Sequence, residues 1–354
     1  MSKGGGFHIP SLDGLRAVSF SIVFFAHAGL EKWVPGGFGV TVFFFLSGYL
    51  ITTLMRMEFE KTGTVSLRKF YLRRVLRILP PFYLVLTVAT VLTAVGFLDG
   101  TLQRPAVLAQ FLHYANYWIV GHGYSGQALG TGVYWSLAVE EHFYFLFPMI
   151  YLLMRRRRAS HSQQAVVLWL FCALILAWRC WLVFKLNSPT DRTYLASDTR
   201  FDSILWGCSL AVFHNPILDG HPPGSPSLWK YVLFPLGVGL LLFSFVYRDD
   251  AFRESFRYTV QGLGLYPIFV TAICHPTLLP MRFLNWKPVA FLGVLSYSLY
   301  LVHHVILFGV RFHLPTMHPV AQGVLAFGIA FAVAWGIYVA LEKPLARLRK
   351  RLSV

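Results

Sequence analysis

Apolar stretches long enough to cross a hydrocarbon layer recur from Leu15 almost to the C-terminus, and no soluble domain fits between them. Crossing about 30 Å of hydrocarbon takes roughly 20 helical residues, so these runs read as transmembrane helices. Hydrophobic periodicity predicts them over residues 14–31, 38–57, 79–98, 135–154, 164–186, 200–215, 229–247, 258–280, 289–311 and 319–342. The expected fold is an all-α integral membrane protein, a bundle of about ten transmembrane helices. A single membrane domain over residues 1–354, with no appended soluble domain, is the expected organisation. A composition that is 56% hydrophobic and 13% charged, with a mean hydropathy of +0.57, belongs to that class. The opening MSKGGGFHIP has no charged region ahead of a short apolar core and no small-residue cleavage site, so the first helix is expected to be retained.

The formal net charge of +16 could suggest a nucleic-acid partner, but the basic residues lie in short connections between apolar runs, which excludes that reading. They segregate instead. One side of a ten-span topology receives Arg56, Lys61, Arg68, Lys69, Arg73, Arg74, Arg77, the run Arg155–Arg158 and the tail from Lys343 to Arg351. The other holds Asp191, Asp198, Asp249, Asp250 and Glu254. The positive-inside bias makes the first side cytoplasmic, with both termini in, for a multi-pass protein of the inner (plasma) membrane. Segment 99–134 contains an apolar stretch, Ala106–Val120, too short for a full crossing and expected to be re-entrant or interfacial. Were it to cross, Arg155–Arg158 would face outward against the bias. No internal repeat of the kind seen in many transporters is found. Cys172, Cys180, Cys208 and Cys274 lie within apolar runs without metal-ligand spacing, so no metal site or disulfide framework is expected.

Ionisable groups inside a membrane are costly and mark functional sites. Arg16 and His27 are eleven positions apart in the first run, on nearly one helix face and about 16 Å apart along the axis. An unprotonated imidazole at His27 could take a proton from an acceptor hydroxyl, with Arg16 at the cytoplasmic mouth. In Ser66–Pro81, Lys69, Arg73 and Arg77 recur every four residues among apolar neighbours, predicting an amphipathic basic segment over 66–79 on the cytoplasmic surface. Such a stripe suits anionic lipid headgroups, or the phosphates of a CoA clamped by Arg74 and Arg77. In Tyr134–Pro148, Ser136 and Glu140 stand at i and i+4, followed by Glu141 and His142. A carboxylate there could orient His27, or could simply pair with Arg104 or Arg200. Arg200, Asp202, His303, His304 and Glu342 are further buried polar groups that could satisfy one another. Outer aromatics, including Tyr114, Tyr117, Trp118 and Trp135, fit an interfacial belt and could also offer stacking faces to a sugar.

The segments Ser11–Gly29, Gly39–Thr52, the basic stripe through Arg77, WSLAVEEHFYFLFP, RFDSILWG, LSYSLYLVHH and LEKP, taken in order, resemble the acyltransferase 3 family of membrane-bound O-acyltransferases. The resemblance implies acyl-CoA, usually acetyl-CoA, as co-substrate. It implies hydroxyl acceptors on envelope polysaccharides, lipid-linked sugars or secondary metabolites such as macrolides. By motif it places the catalytic base on His27, the basic pair on Arg74 and Arg77 beside Arg16 and Arg73, and the Ser-to-Glu motif on Ser136 and Glu140. Trp135, Tyr300 and His303 are the candidate substrate contacts. After His303 this chain has His304 and Val305 where the family often has Trp-Pro. The partners so implied are acyl-CoA, a hydroxyl-bearing acceptor such as a glycan, and membrane lipids, with self-association left open. The rival from another class is a polytopic transporter or flippase in which His27, Glu140 and His303 line a polar path, and a third reading is an inactive scaffold for envelope assembly.

Overall fold

The computed structural model describes residues 9–220 and 223–352. All but the last two residues of the opening MSKGGGFHIP, read above for a leader, lie outside them. The described residues form helices and no strand. α1 (Pro10–Phe25) runs on into a wide turn, Ala26–Leu30, and is followed by α2 (Gly36–Thr62) and α3 (Leu67–Ala94). The short α4 (Arg104–Phe111) and α5 (Ala115–His122) precede α6 (Trp135–Arg156) and α7 (His161–Phe184). Then come the short α8 (Thr190–Leu195), α9 (Ser197–Val212), α10 (Phe234–Val246), α11 (Arg257–Cys274), α12 (Lys287–His313) and α13 (Pro319–Ile337).

Among the described residues, seven helices are long and apolar enough to cross a membrane: Gly36–Thr62, Leu67–Ala94, Thr131–Arg156, His161–Phe184, Pro226–Val246, Lys287–His313 and Pro319–Lys350. The other three expected spans coincide with α1, α9 and α11, which at 16, 16 and 18 residues are shorter or more polar than that class. The physical reason is their position. Of the 16 residues of α9, 13 are buried, among them Arg200, Asp202, Ser203 and Ser209. A helix wrapped by protein need not present apolar groups to lipid, so hydropathy understates it.

The bundle centres on α9, which packs against α2, α7 and α11, while α1 lies between α2 and α12 and α13 packs on α12 and against the turn that follows α1. Glycines set the closest approaches. A methyl group at Gly48 of α2 would meet the Ile204 carbonyl oxygen at 2.0 Å, and one at Gly207 of α9 would meet that of Phe45 at 1.9 Å. Gly293 of α12 stands in the same relation to the Asp13 carbonyl oxygen of α1, at 1.8 Å. Between helices in an apolar medium, such backbone proximity supplies the dispersion contacts that the hydrophobic effect cannot.

The basic segment 66–79 and the span expected at 79–98 are one uninterrupted 28-residue helix, α3, with Pro80 and Pro81 inside it. The prolines deprive the carbonyls of Leu76 and Arg77 of their helical donors, and the Tyr297 hydroxyl donates to the adjoining Ile78 carbonyl at 2.8 Å. The basic stripe is thereby rigidly continuous with the bundle. In segment 99–134, α4 and α5 are eight residues each, about 12 Å long, and neither can cross. Gln110 and Asn116 tie them inward, through Gln110 Nε2 to Thr131 Oγ1 at 2.7 Å and Asn116 Nδ2 to Ser197 Oγ at 3.0 Å.

Gly207→Ala is expected to destabilise the protein by about 1–3 kcal/mol, because the methyl has to displace backbone rather than a flexible side chain. Gly239→Ala, with nothing within 4 Å of the added methyl, is expected to leave stability unchanged or slightly raised. Thermal unfolding of the two variants in one detergent checks the contrast.

Candidate active site

His27 sits in the wide turn that ends α1, where Gly29 takes a φ of 107° and the Arg311 guanidinium donates to the His27 carbonyl at 2.9 Å. Its ring lies against two others, His303 with centroids 5.2 Å apart and His304 at 4.3 Å. His27 Nδ1 is 3.0 Å from His303 Nε2, and His303 Nδ1 is 2.8 Å from the Tyr300 carbonyl oxygen. A carbonyl only accepts, so His303 Nδ1 carries the proton of that neutral ring and its Nε2 is an acceptor. His27 Nδ1–H therefore donates to it, which leaves the lone pair of His27 on Nε2. His304 is fixed separately, with Nδ1 donating to the Gly130 carbonyl at 3.0 Å.

This arrangement revises two expectations. His303, a candidate substrate contact, is fully buried, at 0% exposure, and holds His27 instead. Glu140, the candidate for orienting His27, accepts from Ser47 Oγ at 2.6 Å, and Ser47 lies 2.9 Å from the Tyr144 hydroxyl. The alternative weighed above, an ion pair of a carboxylate there with Arg104 or Arg200, is not formed by Glu140 among the described residues. No local rule relates the registers of α1 and α12, so the histidine pair could not be read from spacing.

Glu140 faces a pocket of about 90 Å³ whose wall includes Arg16, Arg74, Arg77, Ser136 and Tyr300. Three helices thus deliver three guanidinium groups and the Ser-to-Glu motif to one place. Arg16 is held by Asp13 at 2.6 Å, and Arg74 lies over the Tyr144 ring at 5.1 Å. Neither Arg74 nor Arg77 forms an ion pair among the described residues. Arg73, one position and about 100° round the helix from Arg74, turns away to Glu58 at 2.8 Å and the Leu352 carbonyl at 3.0 Å. The Ser136 hydroxyl is 2.7 Å from that of Tyr300, and both lie within 3.1 Å of the Val133 carbonyl oxygen.

A second cavity, of about 500 Å³, is lined by His27, Trp135, Tyr194, Tyr258 and Tyr300, with polar groups at its rim. Val40 and Tyr300 belong to both walls. Of the outer aromatics, Trp135 reaches this cavity, whereas Tyr134 is buried and donates to the Leu301 carbonyl at 2.7 Å. Behind the aromatic wall stands Arg200, its guanidinium over the rings of Tyr258 at 4.0 Å, Tyr194 at 5.4 Å and Trp135 at 5.7 Å. Arg200 does not satisfy Asp202, which pairs with Arg179 at 2.7 Å, both groups at 0% exposure. Arg179, a charge in the middle of the apolar run 164–186, is the signal by which this pair could have been anticipated. Ser47, Tyr144, Tyr194 and Tyr258 carry no such mark, since hydroxyls and aromatics are common in membrane helices.

A family model described as an acyltransferase domain matches residues 9–339. The peptidoglycan O-acetyltransferase OatA of Listeria monocytogenes is 32% identical over 315 residues, 85% of this chain and 49% of its own length. A Staphylococcus aureus protein with a provisional O-acetyltransferase name is 29% identical over 326 residues, 87% of this chain and 53% of its own. The chain therefore spans about half the length of the curated relatives it matches. No solved structure matches.

Removing the acceptor for His27 Nδ1–H frees the ring to change tautomer. His303→Leu is expected to lower turnover about 10²-fold with substrate KM little changed. His303→Gln, whose amide oxygen can accept the same proton, is expected to recover most of that loss. Equal loss in the two variants by steady-state kinetics would show that His303 acts only by filling space.

Proposed function

The chain belongs to the acyltransferase family matched over residues 9–339, and on that premise we propose that it moves an acyl group, acetyl in the simplest case, from acyl-CoA to a hydroxyl of an envelope glycan. The observation that carries this reading is the adjoining of two unlike cavities, one lined by Arg16, Arg74 and Arg77 and the other by His27, with Tyr300 in both walls. Arginines suit the phosphates of CoA, because a guanidinium forks onto phosphate oxygens. Arg16 precedes His27 by eleven residues along α1 and the turn that continues it, on the order of 16 Å at an α-helical rise, a reach that the pantetheine arm of CoA covers.

In the proposed reaction the acceptor hydroxyl oxygen attacks the thioester carbonyl as His27 Nε2 takes its proton. The C–O bond forms, the C–S bond breaks, and the imidazolium returns the proton to the departing CoA sulfur. Direct transfer is favoured over an acyl-serine, because the Ser136 hydroxyl is closed with that of Tyr300 onto the Val133 carbonyl. The positive-inside pattern supports a cytoplasmic donor side in a plasma membrane, and the named activity of the Listeria relative supports peptidoglycan as a first acceptor to assay.

Purified His27→Ala is expected to retain CoA binding and to lose acyl transfer by about 10²–10⁴-fold, and transfer at the wild-type rate would overturn the assignment. Arg74→Gln combined with Arg77→Gln is expected to weaken CoA about 10–100-fold, read as lost thermal stabilisation by CoA. Unchanged affinity there would return the stripe to a lipid-binding role.

A further inference from the structure

The rim of the His27 cavity carries four cationic side chains, Lys32, Arg248, Arg253 and Arg257, against two carboxylates, Glu31 and Glu254. All lie in or beside the connections that follow α1 and α10, at the end of α1 away from Arg16. The positive-inside pattern leaves that end comparatively poor in lysine and arginine, yet four of them converge on one cavity.

Local neutralisation does not account for them. Arg253 approaches Asp250 only to 3.6 Å, and Asp250 is 94% exposed, so water screens the pair. Arg257 is 3.8 Å from Glu254, whose other oxygen accepts from the Thr193 hydroxyl at 2.5 Å. Arg257 Nη2 donates to the Tyr258 hydroxyl at 3.0 Å, and its Nε is buried without a partner. Arg248 and Lys32 form no ion pair among the described residues. Trp135, Tyr194 and Tyr258 belong to the same cavity wall, Trp135 and Tyr258 being buried within it and Tyr194 partly exposed. Guanidinium groups left without close ion pairs around a cavity suit an anionic ligand, since guanidinium forks onto carboxylate or phosphate.

We propose that the acceptor taken by this cavity is an anionic saccharide, its carboxylate or phosphate held at the rim by Arg248 and Arg257 while its hydroxyl reaches His27. This rests on the acyl-transfer reading for the identity of the acceptor, but not for the binding itself. The rim would select among acceptors by charge, and a neutral sugar of the same shape would bind without the ionic contribution.

N-acetylmuramic acid and N-acetylglucosamine differ by a lactyl carboxylate, and N-acetylglucosamine 1-phosphate adds the phosphate alternative. Ligand-observed NMR titration of the purified full chain is expected to show the carboxylate or the phosphate sugar binding at least about tenfold tighter than the neutral one. Whichever does so identifies the source of the anion. The preference is expected to shrink at high salt and to fall severalfold in Arg257→Gln and in the exposed-site variant Arg248→Gln. Equal affinity for all three sugars, or a preference unchanged in both variants, would overturn the proposal. Thermal stabilisation by CoA, read on the same preparations, confirms that the variants are folded and tests the donor separately. Loss of CoA binding with the anion preference intact would sink the acyl-transfer reading alone.

Discussion

A charge carried into an apolar bundle has to be compensated inside the bundle, because the cost of stripping its water far exceeds what any one contact returns. Most of this protein's interior polar groups obey that constraint visibly. Arg179 and Asp202 neutralise each other at 0% exposure, and Arg56 is held by Asp219 and Glu60. Arg200 has no carboxylate and is instead surrounded by aromatic faces, with its two terminal nitrogens on the Tyr194 carbonyl and the Thr41 hydroxyl. Other interior cations carry no ion pair among the described residues and border the two cavities. Arg74 and Arg77 face one pocket, and the Nε2 lone pair of His27 belongs to the ring that lines the next.

Tyr300 joins the two halves of the site. Its carbonyl fixes the tautomer of His303 and through it that of His27, its hydroxyl closes Ser136 onto Val133, and its ring stands in both cavity walls. In the proposed reaction it therefore marks where a thioester coming from the arginine side would meet a hydroxyl coming from the other. The glycine contacts between α2 and α9 and between α1 and α12 bear on the same point. The Gly293 contact packs α1, which leads into the turn carrying His27, closely against α12, which carries His303.

What was legible in the sequence follows the distinction between local and long-range relations. Arg16 lies in α1 and His27 in the wide turn that continues it, so their sequence separation placed both near one face, and they line two adjoining cavities. Arg74 and Arg77, one turn apart, do face together, while Arg73 turns away. Ser136 and Glu140 also share a pocket wall, but which partner Glu140 meets depends on the register of α2, and nothing local encodes that. His303 was visible as a buried histidine without being visible as the acceptor for His27. The change from a basic stripe to an apolar run read as a surface segment followed by a span, yet α3 is one helix through Pro80 and Pro81. Three expected spans proved shorter or more polar than hydropathy alone favours, and α9 in particular is buried along most of its length.

The central claim is that one continuous path links three arginines to His27 and that a CoA thioester occupies it. A structure determined with acetyl-CoA, or with a non-hydrolysable analogue, measures this directly. The account predicts the CoA phosphates on Arg16, Arg74 and Arg77, and the thioester carbonyl carbon near His27, with about 3–3.5 Å between that carbon and the hydroxyl oxygen of a bound acceptor. CoA seated elsewhere, or seated with its thioester away from His27, would contradict it.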